Sequence, residues 1–225
     1  MNRPGFVTGL VSEARLLAPL NAPVAVSGSN ADAARQAAEN LLCSGATALV
    51  SFGLAGGLDP ALAPGALVVP EAVVDGDDLL LCDAAMLAQL GGVTAARVAS
   101  AAAVVESTES KAMLFRATGA VAVDLESGPI ARVAAAHGIP FAVLRVIADP
   151  AGRALPAIVS RAVTPRGGIA LAEILRHLAA HPLSVISFIR LGRDAAAAKR
   201  TLRHHVARLQ CGESVVSAVP AAPRR

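Results

Sequence analysis

The sequence predicts an α/β domain with a largely buried sheet. Short runs rich in β-branched and other apolar residues alternate with alanine-rich stretches, the succession expected where helices cover a sheet. Hydrophobic residues make up 54% of the 225 residues and charged residues 16%, so the chain can bury a sizeable core. We expect one domain over residues 1–210 and a disordered tail over residues 211–225.

The predicted strands are short and apolar. The run TALVSFGLAGG predicts a buried strand that enters a glycine turn, whereas Pro70 weakens the middle of the next strand. The run PFAVLRVIADP predicts a strong strand that Asp-Pro closes. The segment 79–103 fits neither a helix nor a strand clearly. The predicted strands are 5–11, 22–28, 47–57, 65–74, 120–126 and 140–150.

The predicted helices carry recognisable ends. Asn30 is a candidate cap for a helix over 31–45, which Gly45 would stop, and Pro129 fits the first turn of a helix over 127–138. This second helix lies between two predicted strands, and such a succession predicts that they are parallel neighbours. Residues 169–209 are predicted to form two helices joined near His181 and Pro182.

Composition excludes several functions. The chain has no Trp, no Tyr and five Phe, which argues against stacking of nucleic-acid bases, and its net charge of +3 is too small to indicate DNA binding. Three widely spaced cysteines suggest neither a disulfide framework nor a zinc site, and a reducing cytoplasm fits best. We expect no signal peptide and no membrane-spanning helix, because the apolar runs are too short.

Three acidic residues follow predicted strands. Glu13 comes after the first strand, Glu126 ends another, and Asp149 ends the strand FAVLRVIA. Ligands of open α/β sheets bind beyond the carboxyl ends of the strands, so these carboxylates can converge on one pocket. Each residue also has a structural explanation when taken alone: a charge in a first helical turn for Glu13, a helix cap for Glu126, and a turn residue before proline for Asp149.

The joint pattern resembles the nucleoside phosphorylase and nucleosidase superfamily, which includes the methylthioadenosine/S-adenosylhomocysteine nucleosidases. In order along the chain, the matching motifs are GLVSEARLL, SGSNADAARQAAENLL, LVSFGLAGGLDPALAPGALVVPEAVV and VAVDLESGPIARVAAAHGIPFAVLRVIADPA. The resemblance covers roughly residues 5–152. It implies a three-layer αβα sandwich with a mixed, mostly parallel central sheet.

The resemblance also implies roles for individual residues. Asp149 matches the acid that protonates the purine N7, Glu13 the residue that positions the attacking water, and Arg145 an orienting group. The substrate-binding set that it implies is Glu126, for the ribose hydroxyls, with Leu125, Gly56, Val104 and Val105. Such types suit the chemistry, because carboxylates stabilise an oxocarbenium-like sugar and a protonated acid relieves charge on the departing base.

The motifs favour water over phosphate as nucleophile. Glu13 stands where phosphorylases of the superfamily offer an arginine, and Arg15 follows on what we expect to be another face. Leu54 stands in the glycine turn where a hydroxyl is usual, which also departs from the nucleosidase pattern. The stacking aromatic expected near residues 103–106 is absent, so base specificity stays open.

The basic residues concentrate near the C-terminal end. Between residues 170 and 210 there are seven Lys and Arg against two Asp and Glu, interleaved with Leu, Ile and Phe. This profile fits basic amphipathic helices that lie on an anionic membrane, or helices whose apolar stripe packs on the sheet. With the short hairpin after Leu17, the stretch RLGRDAAAAKRTLR is similar to the hopanoid-associated phosphorylases, assigned as adenosylhopane nucleosidases.

Together these observations predict a cytoplasmic homodimer that hydrolyses a 5′-substituted adenosine with an apolar 5′ group and releases adenine, without metal or organic cofactor. A phosphorylase, or a nucleoside- or lipid-binding relative without turnover, remains the alternative.

Overall fold

The computed structural model describes residues 3–181 and 185–211. Its strands combine into a sheet with the order β2-β1-β3-β8-β7-β5-β6, and β9 pairs with β3 and β4. The strands are β1 (Pro4–Thr8), β2 (Val24–Val26), β3 (Ala48–Gly57), β4 (Leu67–Val68), β5 (Pro70–Asp75), β6 (Asp78–Leu81), β7 (Ala95–Ser100), β8 (Ala122–Asp124) and β9 (Phe141–Asp149).

The sheet is mixed and mostly parallel, as the resemblance to the superfamily implies. The pairs β1-β2, β1-β3, β3-β9, β5-β7 and β7-β8 are parallel, and β3-β8, β4-β9 and β5-β6 are antiparallel. The prediction that strands 120–126 and 140–150 are parallel neighbours is wrong. Both pair with β3, which is long enough to hold β9 along most of its length and to meet β8, antiparallel, at Gly56 and Gly57.

Helices cover both faces of the sheet. On one face α2 and α5 pack against alternate residues of β1, β3 and β9, including Leu49 and Val143. On the other face the 3₁₀ helix, α3 and α8 cover Val50 and Leu144. This alternation follows from the two-residue period of a strand and gives the three layers of the predicted sandwich. The helices are α1 (Val11–Ala14), a 3₁₀ helix (Arg15–Leu20), α2 (Ala31–Cys43), α3 (Ala84–Gln89), α4 (Thr108–Thr118), α5 (Ser127–Ala136), α6 (Ala157–Ala162), α7 (Leu171–Ala180) and α8 (Val185–Gln210).

Most predicted elements are present, with shifted ends. The strand predicted over 65–74 is interrupted before Pro70 and forms β4 and β5, and the segment 79–103 contains the end of β6, α3 and β7. The two predicted C-terminal helices correspond to α7 and α8, whereas the predicted tail, apart from Cys211, lies outside the described residues. Within the described ranges, no helix is long and apolar enough to cross a membrane.

Candidate active site

A cavity of about 610 Å³ lies where β1, β2, β3, β8 and β9 end. Its walls include every residue that the sequence proposes for the site, which are Glu13, Gly56, Val104, Val105, Leu125, Glu126, Arg145 and Asp149. The strand ends therefore bring the three acidic residues to one place. Their individual roles remain predictions.

Glu13 is fixed by backbone groups from two elements. It lies in α1 directly after β1, is buried, and accepts hydrogen bonds from the backbone N–H of Leu10 at 2.8 Å and of Leu54 at 2.9 Å. Burial raises the pKa of Glu13, while the Arg145 guanidinium and these two N–H groups oppose the rise. The two bonds use only part of the acceptor capacity of a carboxylate, so Glu13 can also bind a water.

Arg145 joins the acidic residues. It points from β9 into the protein, and only 1% of the residue is exposed. Its Nη2 donates to Glu126 Oε2 at 3.0 Å and to Ser51 Oγ at 2.7 Å, Nη1 donates to the carbonyl of Leu54 at 3.2 Å, and Nε lies 2.8 Å from Asp124 Oδ2. Burial alone would lower the pKa of Arg145, but the surrounding carboxylates raise it. The guanidinium stays charged and fixes the positions of these groups.

Asp124 and Glu126 have different functions in this network. Asp124 Oδ1 accepts from the backbone N–H of Glu126 at 3.2 Å and of Ser127 at 2.9 Å, and Oδ2 accepts from the Ser127 hydroxyl. Asp124 therefore satisfies the first amides of α5, whereas Glu126, at the cap position, makes no side-chain capping bond. The structural reading of Glu126 as a helix cap is wrong because Asp124 takes that role.

The environment of Glu126 raises its affinity for a proton. Burial raises the pKa of this carboxyl to about 7; Arg145 lowers it, and the neighbouring Asp124 and Glu13 raise it further. Near neutral pH the group can therefore accept a hydrogen bond as a carboxylate or donate one as an acid. Both forms suit contact with the hydroxyl groups of a sugar.

Two glycines make room for these carboxylates. A Cβ on Gly53 would lie 2.8 Å from Glu13 Cδ and 2.9 Å from Arg145 Nη1, and one on Gly9 would lie 2.7 Å from Glu126 Oε1. Neither contact is sterically possible, so the network can form only against bare backbone.

A β-bulge directs Asp149 toward the cavity. In the β3-β9 ladder Ala55 pairs with Ile147 but Gly56 pairs with Asp149, so Ala148 is an extra residue in β9. Bulges of this kind change the direction of a side chain next to a site. Burial raises the pKa of Asp149, and this rise is opposed first by Lys111 and also by Arg153.

Lys111 belongs to the site although none of the sequence motifs includes it. This residue lies in α4, is fully buried, and its Nζ donates to Asp149 Oδ2 at 2.5 Å, to the Pro150 carbonyl at 3.1 Å and to the Arg153 carbonyl at 2.9 Å. Two signals in the sequence pointed to it. Lys111 is one of only two lysines against 18 arginines, and it precedes Leu114 and Phe115 by three and four residues, on the apolar face of the helix.

The rest of the cavity wall is largely apolar. Leu155, Val159, Val163 and Pro165 line it, in addition to Val104 and Val105. Leu54 contributes its backbone, which binds both Glu13 and Arg145, while its side chain packs against the core. Of the described residues that line the cavity, Arg145 is the only Lys or Arg.

Comparisons with known proteins agree with this architecture. A structure of a mutant methylthioadenosine/S-adenosylhomocysteine nucleosidase from Helicobacter pylori, with 5′-methylthioadenosine in its active site, is 18% identical, with a TM-score of 0.65 over 92% of this chain and 99% of that one. S-adenosylhomocysteine nucleosidase from Streptococcus pyogenes is 16% identical, with a TM-score of 0.63 over 90% of this chain and 95% of that one. Futalosine hydrolase from H. pylori is 17% identical, with a TM-score of 0.63 over 92% of this chain and 97% of that one.

No curated protein sequence matches the chain. Similarity to solved structures at these identities establishes the fold. The model of one family, described as the Phosphorylase superfamily, matches residues 21–81 and 86–180, and the chain therefore belongs to the Phosphorylase superfamily.

Proposed function

We propose that this protein is a nucleosidase that hydrolyses the N-glycosidic bond of a 5′-substituted adenosine and releases adenine. The observation that carries the proposal is the meeting of Glu13, Glu126 and Asp149 at the strand ends that line one cavity. Membership of the superfamily and the fold shared with solved nucleosidases support it.

Each carboxyl has a place in such a reaction. As the bond between C1′ and N9 breaks, its electron pair passes to the base, and protonation of N7 by Asp149 relieves the negative charge. Burial raises the pKa of Asp149, which is the direction that favours the protonated form required for this step. Glu126, held by Arg145, binds the ribose hydroxyls, and Glu13 orients the water that attacks C1′ and accepts its proton.

The charges of the cavity favour water over phosphate. Arg145, its one basic lining residue among those described, is already engaged by Asp124 and Glu126. A phosphate would face the Glu13 carboxylate without a cation of its own, and like charges in a buried site repel strongly. A nucleoside phosphorylase is the alternative that the first experiment below separates.

We propose further that the 5′ group is large and apolar, as in adenosylhopane, an intermediate of hopanoid biosynthesis. The apolar wall of Leu155, Val159, Val163 and Pro165 supports such a group, because apolar surface of the substrate would be removed from water there. The resemblance of the C-terminal stretch to the hopanoid-associated phosphorylases supports the same substrate.

Adenine release from a series of 5′-alkylthioadenosines tests both proposals. We expect release without phosphate, and catalytic efficiency that rises with alkyl length by about threefold to fourfold per methylene, since each buried CH₂ contributes about 0.8 kcal/mol. Val159→Ser should flatten that rise, while Val93→Ser, at an exposed valine elsewhere, should not.

The outcomes separate the alternatives. Adenine release that requires phosphate and yields a ribose 1-phosphate would identify a phosphorylase. Binding of the analogues without any release over long incubation would identify a relative without turnover. Hydrolysis with no dependence on alkyl length would retain the nucleosidase and reject the apolar 5′ group.

We propose also that the protein is a cytoplasmic homodimer that contacts the membrane surface peripherally. Two exposed leucines, Leu79 and Leu81, lie on the edge strand β6, where contact with a second copy would cover them. At the start of α8, Val185, Ile186 and Ile189 are exposed. Light scattering of wild type and of Leu81→Asp tests the dimer: a monomeric wild type would exclude it.

A further inference from the structure

We propose that Lys111 is a positioning residue for Asp149: its ammonium holds one carboxyl oxygen and offsets the carboxylate charge that forms when the proton passes to the base. This inference rests on the proposed nucleosidase function and concerns a residue that no motif identified.

The geometry indicates an ammonium group. Nζ has three acceptors, one carboxyl oxygen and two backbone carbonyls, at 2.5, 3.1 and 2.9 Å. These match the three N–H donors of a charged lysine. Because the Lys111 side chain is 1% exposed and that of Asp149 is 13% exposed, the ammonium lies behind the acid rather than in the cavity.

The contact with Lys111 gives the two carboxyl oxygens of Asp149 different roles. Oδ2 accepts from Lys111, which fixes the plane and direction of the carboxyl. Oδ1 is then the oxygen that can carry the acidic proton toward the substrate. Without this contact the carboxyl could rotate about its side-chain bonds, away from the base. Such misorientation of a catalytic group lowers the reaction rate.

The charge acts at the moment of proton transfer. Before reaction the pair is a neutral acid beside an ammonium. When the O–H bond of Asp149 breaks and an N7–H bond forms on the base, the electron pair of the O–H bond stays on Asp149 as a carboxylate. The adjacent Lys111 ammonium stabilises that carboxylate in a poorly hydrated site, where such an interaction is strongest.

The charged groups around Asp149 come from two other segments. Lys111 faces it from α4, and Arg153 faces it from the loop after β9. The Arg153 guanidinium is itself paired with Asp194 on α8, so Lys111 is the cation in direct contact with the acid. Removing it should let burial raise the pKa of Asp149 further.

The test compares two leaving groups in Lys111→Met and Lys111→Gln. One substrate is the best 5′-alkylthioadenosine of the series, whose base needs a proton, and the other is the 4-nitrophenyl riboside with the same 5′ group, whose nitrophenolate leaves without one. We expect kcat for adenine release to fall by about 10-fold to 100-fold, and nitrophenol release to change less than about 3-fold. The Gln variant keeps N–H donors for the carbonyls and so separates charge from packing.

The pH profile is the second measurement. Activity falls at high pH as Asp149 loses its proton, so a raised pKa moves this basic limb upward, by about one pH unit or more in either variant. Lys111→Arg keeps the charge and should keep the limb close to that of wild type. Arg116→Met removes one positive charge from an exposed position of the same helix and should change neither leaving-group ratio nor pH profile.

The results distinguish this inference from the proposed function. Equal losses for both leaving groups, or an unmoved basic limb in Lys111→Met and Lys111→Gln, would leave a nucleosidase but assign Lys111 a structural role only. Should Lys111→Met fail to fold, the Gln variant decides. A wild-type protein that releases neither adenine nor nitrophenol would overturn the nucleosidase and this inference together.

Discussion

A buried guanidinium is stable only where carboxylates offset its lost hydration, and Arg145 has Asp124 and Glu126 within 3.0 Å. The dependence is mutual, because the same carboxylates would be unstable there as ions without Arg145. The guanidinium and the two carboxylates thus hold each other in place before any substrate binds. Such preorganisation is what a site needs if it is to stabilise charge as it forms.

At this scale, the first prediction concerns the acid. Asp149→Asn keeps the shape of the side chain but cannot donate an acidic proton, so we expect adenine release to fall by about 100-fold to 10,000-fold. Binding of a non-hydrolysable adenosine analogue should change little. Asp77→Asn, at an exposed position, is the matched control. Unchanged turnover in Asp149→Asn would reject the mechanism.

The second prediction concerns Glu126 and pH. Its pKa is raised from 4.5 to about 7, so the folded protein holds a proton there that the unfolded chain releases. The stability that this proton confers is complete below about pH 4.5 and is lost as pH rises through about 7, a change on the order of 3 kcal/mol.

Urea unfolding at about pH 5 and about pH 8 measures this contribution of the Glu126 proton to the free energy of unfolding. The free energy of unfolding should fall less between the two values in Glu126→Gln than in wild type. Glu71→Gln, which alters an exposed glutamate on β5, should keep the wild-type difference. Identical pH dependence in wild type and Glu126→Gln would show that the carboxyl titrates normally.

At the scale of elements, two helices begin with acceptors in different environments. Asn30 Oδ1 accepts from the backbone N–H of Ala33 at the exposed start of α2. Asp124 does the same for α5, but it is buried and also pairs with Arg145. The capping geometry is similar, but Asn30 is a neutral side chain at the surface, whereas Asp124 is an acidic side chain removed from water.

The third prediction follows from that difference. Asn30→Ala should lower the free energy of unfolding by about 1 kcal/mol, the usual loss of an exposed cap. Asp124→Ala should lower it by about 3–5 kcal/mol, because it leaves the Arg145 guanidinium partly unpaired in the interior. Chemical denaturation measures both. Equal losses would mean that Asp124 acts only as a cap.

On the scale of the whole molecule, α8 combines a buried half with an exposed end. Ala198, Leu202 and Val206 pack against the core, as expected for a helix whose apolar stripe packs on the sheet. The exposed Ile186 and Ile189 each lie one turn before an arginine, Arg190 and Arg193, and both arginines are also exposed. Apolar and basic groups side by side suit an anionic lipid surface.

The fourth prediction is flotation with anionic liposomes at low salt and release at high salt, where charges are screened. The double variant Ile186→Ser and Ile189→Ser should float less. Met113→Ser removes a similarly exposed apolar side chain from α4, away from α8, and should float like wild type. No flotation of wild type at low salt would exclude the membrane contact.

Local patterns were enough to identify many elements of this protein. The helix over Ala31–Cys43 and its Asn30 cap, the long strand β3 and the strand β9 all follow from residue type and periodicity. The order of acidic residues after strands also predicted which carboxyl groups would share a cavity. The helices, the strands and the positions of the acidic residues after strands depend mainly on residues that are close in the chain, and these can be read from the sequence.

Tertiary structure decided the rest, because it depends on contacts between distant residues. It placed β3 between β8 and β9, made Asp124 rather than Glu126 the cap of α5, and inserted the bulge that directs Asp149. It also brought Lys111 to Asp149, 38 residues away in sequence. Residue type and order alone predicted the strands, the helices and the acidic residues of the site. The partners of these elements and residues depend on packing, because burial and pairing bring together groups that are distant in the chain.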